Sequence, residues 1–152
     1  MKKESAGLLM FRARDNVLQV LLVHPGGPIW QSRDAGIWSI PKGEIEGSDD
    51  AFTTAIREFE EETGIKPQGP YEPLGTITQR SGKKVHAWAF RGDCDTSQIR
   101  SNLIQIEWPP ESTIKITIPE IDRGEFFDIP AALQKIIPTQ APLLLALQQL
   151  HP

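Results

Sequence analysis

The chain has 152 residues, 39% hydrophobic and 24% charged, a balance that fits one globular domain over 1–152 and excludes a disordered tail or a fibrous repeat. Its 16 basic and 20 acidic residues leave a net charge of −4, which argues against an electrostatic grip on a long nucleic-acid backbone. A single cysteine, Cys94, points to a reducing cytoplasm, and nothing approaches the roughly 20 apolar residues of a membrane span.

Taken in chain order, Leu8–Phe11 and Val17–Val23 are β-prone runs around the turn-like Arg14-Asp15-Asn16, which predicts a hairpin. His24 to Gly36 carries Pro25-Gly26-Gly27-Pro28 and reads as a long loop of the kind that holds function. Trp38–Pro41 reads as a brief strand stopped by Pro41. The helical pattern is clearest from Ser48 or Asp49, as N-cap, to Thr63, with Gly64 as the C-terminal stop. Leu74–Gln79 and Val85–Phe90 predict two strands around the basic turn Arg80-Ser81-Gly82-Lys83-Lys84. Further strands are expected at Ile104–Trp108 and Ile114–Ile118, then a short helix from Asp128-Ile129-Pro130 to Ile137 and a last one capped by Thr139. A mixed sheet with helices packed on it, an α/β fold, follows from this order.

The middle helix is acidic: Glu44, Glu46, Asp49, Asp50, Glu58, Glu60, Glu61 and Glu62 all fall between positions 44 and 62, and only Arg57 opposes them there. At about 100° per residue, Glu58, Glu61 and Glu62 share one arc of about 100°, while Glu60 points away. Phe52, Ala55, Ile56 and Phe59 form an apolar stripe beside that arc. A solvated helix face is the plain reading of such a run. Like charges at i, i+3 and i+4 repel, however, and more so beside a core. A hard cation, Mg²⁺ or Mn²⁺ rather than zinc, would relieve that repulsion.

Gly43, Asp49 and the run Arg57-Glu58-Phe59-Glu60-Glu61-Glu62-Thr63-Gly64-Ile65 resemble the Nudix box in its 23-residue frame, with Asp49 standing where the family has a glutamate. The resemblance implies a Nudix α/β/α sandwich and a metal-dependent hydrolase cleaving a phosphoanhydride bond in a nucleoside diphosphate linked to another group. It implies that Glu58, Glu61 and Glu62 hold Mg²⁺ or Mn²⁺, helped by a backbone carbonyl of the Lys42-Gly43 turn, and that Arg57 orients a metal-binding carboxylate. Asp49, one methylene short, is expected to weaken that support without abolishing it. For the general base the resemblance offers Glu120, in the loop before a late strand, and Glu61. A non-catalytic nucleotide-sensing module on the same scaffold is the alternative.

For the substrate, Trp30, Trp38, Tyr71, Trp88 and Trp108 are the aromatics able to stack a base, and Trp38 is preferred because it precedes the metal turn. Lys42, Arg80, Lys83 and Lys84 are the expected phosphate contacts. The entry Trp38-Ser39-Ile40-Pro41-Lys42-Gly43 resembles family members acting on nucleoside triphosphates or dinucleoside polyphosphates. The implied partner is a small nucleotide, with neither long nucleic acid nor membrane, and the protein acting as a monomer or a homodimer.

Overall fold

The computed structural model describes residues 3–152. Its first two strands, β1 (Ser5–Arg14) and β2 (Val17–Pro25), form the expected antiparallel hairpin, with Arg14 opposite Val17. After a loop, β3 (Lys42–Glu44) lies against the start of β1, and helix α1 (Ala51–Thr63) follows. Strands β4 (Tyr71–Thr78) and β5 (Lys84–Arg91) form a second hairpin, whose β5 runs parallel to β1. Strands β6 (Leu103–Glu107) and β7 (Lys115–Pro119) make a separate two-stranded sheet. The chain closes with β8 (Ile121–Asp128), α2 (Ile129–Lys135) and α3 (Ala141–Leu150). The main sheet has the order β4-β5-β1-β2-β8, with β3 also on β1.

The period of two along β1 sets the layers. Ala6, Leu8 and Met10 point to one face, where they meet Ala55 and Phe59 of α1 and Phe90 of β5. Leu9 and Phe11 point to the other, towards Ile129 and Ala132 of α2 and Leu143, Leu144 and Leu147 of α3. The result is the α/β/α sandwich. Phe59 is fully buried and meets Phe90 edge-on at 5.1 Å, a burial worth about 1.5–3 kcal/mol for a large apolar side chain.

Three expectations change. Trp38–Pro41 is not a strand: Ser39 exchanges two main-chain bonds with Val23 at 2.9 and 3.0 Å, Trp38 bridges to Ile136, and regular pairing begins only at Lys42. The N-cap of α1 is neither Ser48 nor Asp49 but Asp50, whose carboxylate accepts from the Thr53 N–H at 2.7 Å. Thr139 does not cap the last helix: it sits within a 3₁₀ turn, Pro138–Gln140, ahead of α3. Two strands go unpredicted: β3, which starts just past the expected Trp38–Pro41 segment, and β8, because Asp122-Arg123-Gly124-Glu125 reads as a polar loop although it pairs with β2. The expected Gly64 stop holds, and the short helix expected to open at Asp128-Ile129-Pro130 does so, with the Asp128 carboxylate capping it by accepting from the Ala131 N–H at 2.9 Å.

Candidate active site

The site grows from the contact between the β3 turn and α1. Gly43 lies directly under the Glu58 carboxylate, and a Cβ there would overlap it, so only glycine lets the strand and the carboxylate approach this closely. Burial, with the negative charge of Glu61 added, pushes the Glu58 carboxyl up to about 7. Arg57 supplies the counter-charge to Glu58. Its guanidinium donates to Asp49 at 2.9 Å, stands 3.9 Å from Glu58 and 4.0 Å from Glu61, and is held above its usual range by these partners, Asp49 first. The shorter aspartate therefore still reaches the arginine.

One turn on, Glu62 is 3% exposed. Burial drives its carboxyl well above the usual range, with Glu120 and Glu58 adding repulsion, while the Lys42 side chain and main-chain N–H oppose the shift. Lys42 is in turn pulled below the usual lysine range by burial and by neighbouring Lys83, against the attraction of Glu62, Glu120 and Glu44. Glu120, reached from β7, is thus brought among the helix glutamates. Asn102 fixes it there: the Asn102 carboxamide donates to Glu120 Oε1 at 3.0 Å, the Glu120 N–H donates to the Asn102 carbonyl at 3.0 Å, and the Asn102 N–H donates to the Glu61 carbonyl at 2.9 Å. Glu60 is exposed and takes no part, as the helical spacing requires.

Lys42, Glu62 and Glu120 border a cavity of about 330 Å³ whose other walls include Val23, Trp30, Ile37, Ser39, Ile40 and Ile137. Charged groups at one end and apolar walls at the other suit a phosphorylated molecule with a ring attached. Among the described residues, no three His, Cys, Asp or Glu side chains converge as a ready-made cation cage. The donor set still fits a hard divalent ion: its side-chain donors are carboxylate oxygens, and burial penalises the charge of Glu58 and Glu62 in the absence of a cation. Mg²⁺ commonly takes only one or two carboxylates, the remaining positions going to water and substrate phosphate.

Not every expected residue joins the site. Trp38 is 1% exposed, donates from Nε1 to Asp34 at 2.8 Å and packs edge-on to Phe127 at 5.1 Å, so it is a core residue with no free face for a base. Trp30 borders the cavity instead. Arg80 and Lys84 are exposed and line no part of that cavity, because the β4–β5 turn carries them outward. Lys83 faces Lys42 and pairs with Glu44 at 3.2 Å. His86, a sheet histidine as expected, is bonded to Glu4 and to Thr76 at 2.8 Å. Asn102 was missed, since an isolated asparagine between two strands carries no periodic signal. So was buried His24, whose ring nitrogens face Asp122 at 2.8 Å and the Arg33 carbonyl at 2.7 Å and pin the long loop to β8.

The NUDIX domain family matches residues 1–145. The chain belongs to the Nudix family. An uncharacterized 17.7 kDa protein of Enterobacteria phage T4 is 32% identical over 129 residues, 80% of each chain. The octanoyltransferase of Myxococcus xanthus is 28% identical over 101 residues, 66% of this chain but only 25% of that protein. In structure, the Nudix sandwich superposes on the Caenorhabditis elegans Ap4A hydrolase with a TM-score of 0.68 at 19% identity, covering 97% of both chains. It also matches the Nudix domain of Shewanella oneidensis NrtR in complex with ADP-ribose, with a TM-score of 0.68 at 16% identity over 100% of this chain and 90% of that one. Family membership supports a Nudix pyrophosphohydrolase, and the two solved structures share its fold.

Proposed function

We propose that this Nudix protein is a cytoplasmic, Mg²⁺- or Mn²⁺-dependent pyrophosphohydrolase that cleaves a phosphoanhydride bond in a nucleoside diphosphate linked to another group, with nucleoside triphosphates and dinucleoside polyphosphates as the leading substrates. One observation carries the reading: Glu62 and Glu120, from distant parts of the chain, border with Lys42 the charged end of a cavity with apolar walls, and Glu58, itself beside Glu61, adds its charge to both of them. Glu58, Glu61 and Glu62, with the Lys42-Gly43 turn, would hold the cation. A bound cation would supply charge neutralisation to the phosphoanhydride as it breaks.

The chain's own residues do the rest. Arg57 keeps the Glu58 and Glu61 carboxylates in place from the Asp49 side. Lys42 offers its ammonium to a phosphate oxygen. Glu120, steadied by Asn102, accepts the proton of the attacking water; Glu61, whose side chain is 45% exposed at the rim, is less enclosed for that role. Apolar walls exclude competing water. The neighbour holding ADP-ribose favours a second reading, nucleotide binding without turnover. The complete carboxylate set speaks for chemistry instead, since binding alone has no need of every ligand.

The test is metal-dependent release of phosphate or nucleotide from a substrate panel, with Glu61→Gln beside the unaltered protein. Turnover with Mg²⁺ and a loss of at least about 100-fold in the variant is expected. Full activity in Glu61→Gln overturns the assigned chemistry, and tight nucleotide binding without turnover in the unaltered protein favours the second reading.

A further inference from the structure

The β6–β7 hairpin stands apart from the main sheet, and its two faces differ sharply. Ile104 pairs with Ile118 and Ile106 with Ile116, all half-buried on one face, while Gln105, Glu107, Lys115 and Thr117 on the other are exposed. The apolar face leans over the loop that follows β2. Between them lies a cavity of about 240 Å³, walled by Ile104, Ile106 and Ile118 on the hairpin side and Ile29 and Trp30 on the loop side. Gly27, at φ +92°, keeps this space open: a Cβ there would run into the Ile118 side chain. The single charged group of the wall is Glu120, and Glu120 and Trp30 also border the larger cavity. The two spaces therefore adjoin at the catalytic end of the site.

We propose that this second cavity is a subsite for the group on the far side of the substrate's diphosphate, and that it takes a planar, uncharged ring. The inference rests on the Nudix hydrolase reading and deepens it. Isoleucine walls and a tryptophan ring reward a flat apolar surface, through dispersion and aromatic contact. Sugar hydroxyls or a terminal phosphate would lose water there and find only Glu120, an acceptor that repels phosphate and is already engaged by Asn102. The subsite reads flatness and apolarity, not a hydrogen-bonding pattern, and so tolerates different rings.

Calorimetry in Mg²⁺ tests this with two non-hydrolysable ligands that share one adenosine and a methylene-bridged phosphate chain, one ending in a second adenosine and the other in a bare phosphate. The two-ring ligand is expected to bind at least 10-fold more tightly. Ile29→Ser and Ile118→Ser are each expected to remove most of that ratio without moving the Kd of the one-ring ligand. Ile29 is 48% exposed in a loop, so its variant keeps the fold even if the hairpin variant does not. Equal affinities, or a ratio that survives Ile29→Ser, overturn the subsite while leaving metal-dependent hydrolysis standing. Binding of neither ligand overturns the nucleotide reading and the subsite together.

Discussion

Asn102 holds Glu120 by a carboxamide hydrogen bond of 3.0 Å, and its own main chain is bonded to both Glu120 and Glu61. A residue outside the Nudix box thus ties the late glutamate to the box helix. Removing the carboxamide in Asn102→Ala takes away a charge-assisted bond, of the class worth about 1.5–3 kcal/mol. The expected result is a fall in kcat of about 10- to 100-fold with little change in KM. Steady-state kinetics check it, and an unchanged kcat would show that Glu120 needs no such anchor.

Gly43→Ala should be more severe for activity than for folding. The added methyl overlaps the Glu58 carboxylate, which must swing aside, whereas the surrounding strand pairing of Ser5–Gly7 with Lys42–Glu44 can persist. A loss of at least about 100-fold in kcat/KM is expected, as for other displaced charge-stabilising groups, with a far-ultraviolet dichroism spectrum like that of the unaltered protein.

Asp49 and Arg57 are predicted to differ in weight. The Asp49 side chain is 44% exposed and pairs with Arg57, so Asp49→Ala should cost under about 1 kcal/mol of stability and a modest part of the rate. Arg57 faces three carboxylates. Arg57→Ala should therefore lower the rate well beyond Asp49→Ala, and Asp49→Glu should be at least as active as the unaltered protein. Equal rates for the two alanine variants would refute the ranking.

The raised carboxyl of Glu58 sets a pH dependence with a definite sign. Its pKa is about 7 folded against 4.5 ordinarily, so between those values the folded chain holds a proton that the unfolded chain has released. Stability of the metal-free protein therefore falls as pH rises through this window, and buried Glu62 acts in the same direction. Thermal denaturation with a chelator should give a lower Tm at pH 8 than at pH 5, each kcal/mol being worth about 2–4 °C in a domain of this size. Mg²⁺ competes with those protons, so the Tm rise it produces should grow with pH. Glu58→Gln should flatten the metal-free slope, and a Tm that climbs from pH 5 to 8 without metal would contradict the assignment.

Trp38 should respond as packing, not as recognition. Trp38→Ala is expected to cost about 3–5 kcal/mol, the range for truncating a buried aromatic, and urea denaturation measures it. A stable Trp38→Ala protein with altered substrate preference would reverse that conclusion.

The helix and its carboxylate arc were legible in the sequence because both are local: the 3.6-residue period that placed Phe59 inward also placed Glu58, Glu61 and Glu62 together and Glu60 outward. The Asp128-Ile129-Pro130 helix start and the Gly64 stop are local too. Trp38 misled because adjacency to the metal turn says nothing of which way a side chain points in irregular backbone, and here it points into the core. Strand β8 stayed hidden since its middle is polar and pairing with β2 joins segments a hundred residues apart. Asn102 is the same case at the site itself: its importance lies in what Glu120 and Glu61 bring to it from elsewhere.

The Lys42-Gly43 turn hangs on β1, a strand zipped along most of its length to β5 and, at its far end, to β2. Amide protons there should exchange with deuterium only when the whole domain opens, while those of the outlying β6–β7 ribbon, joined chiefly to each other, should exchange far sooner. The molecule thus divides its labour mechanically, with an unyielding floor for the reacting phosphates and a pliant wall for whatever they carry.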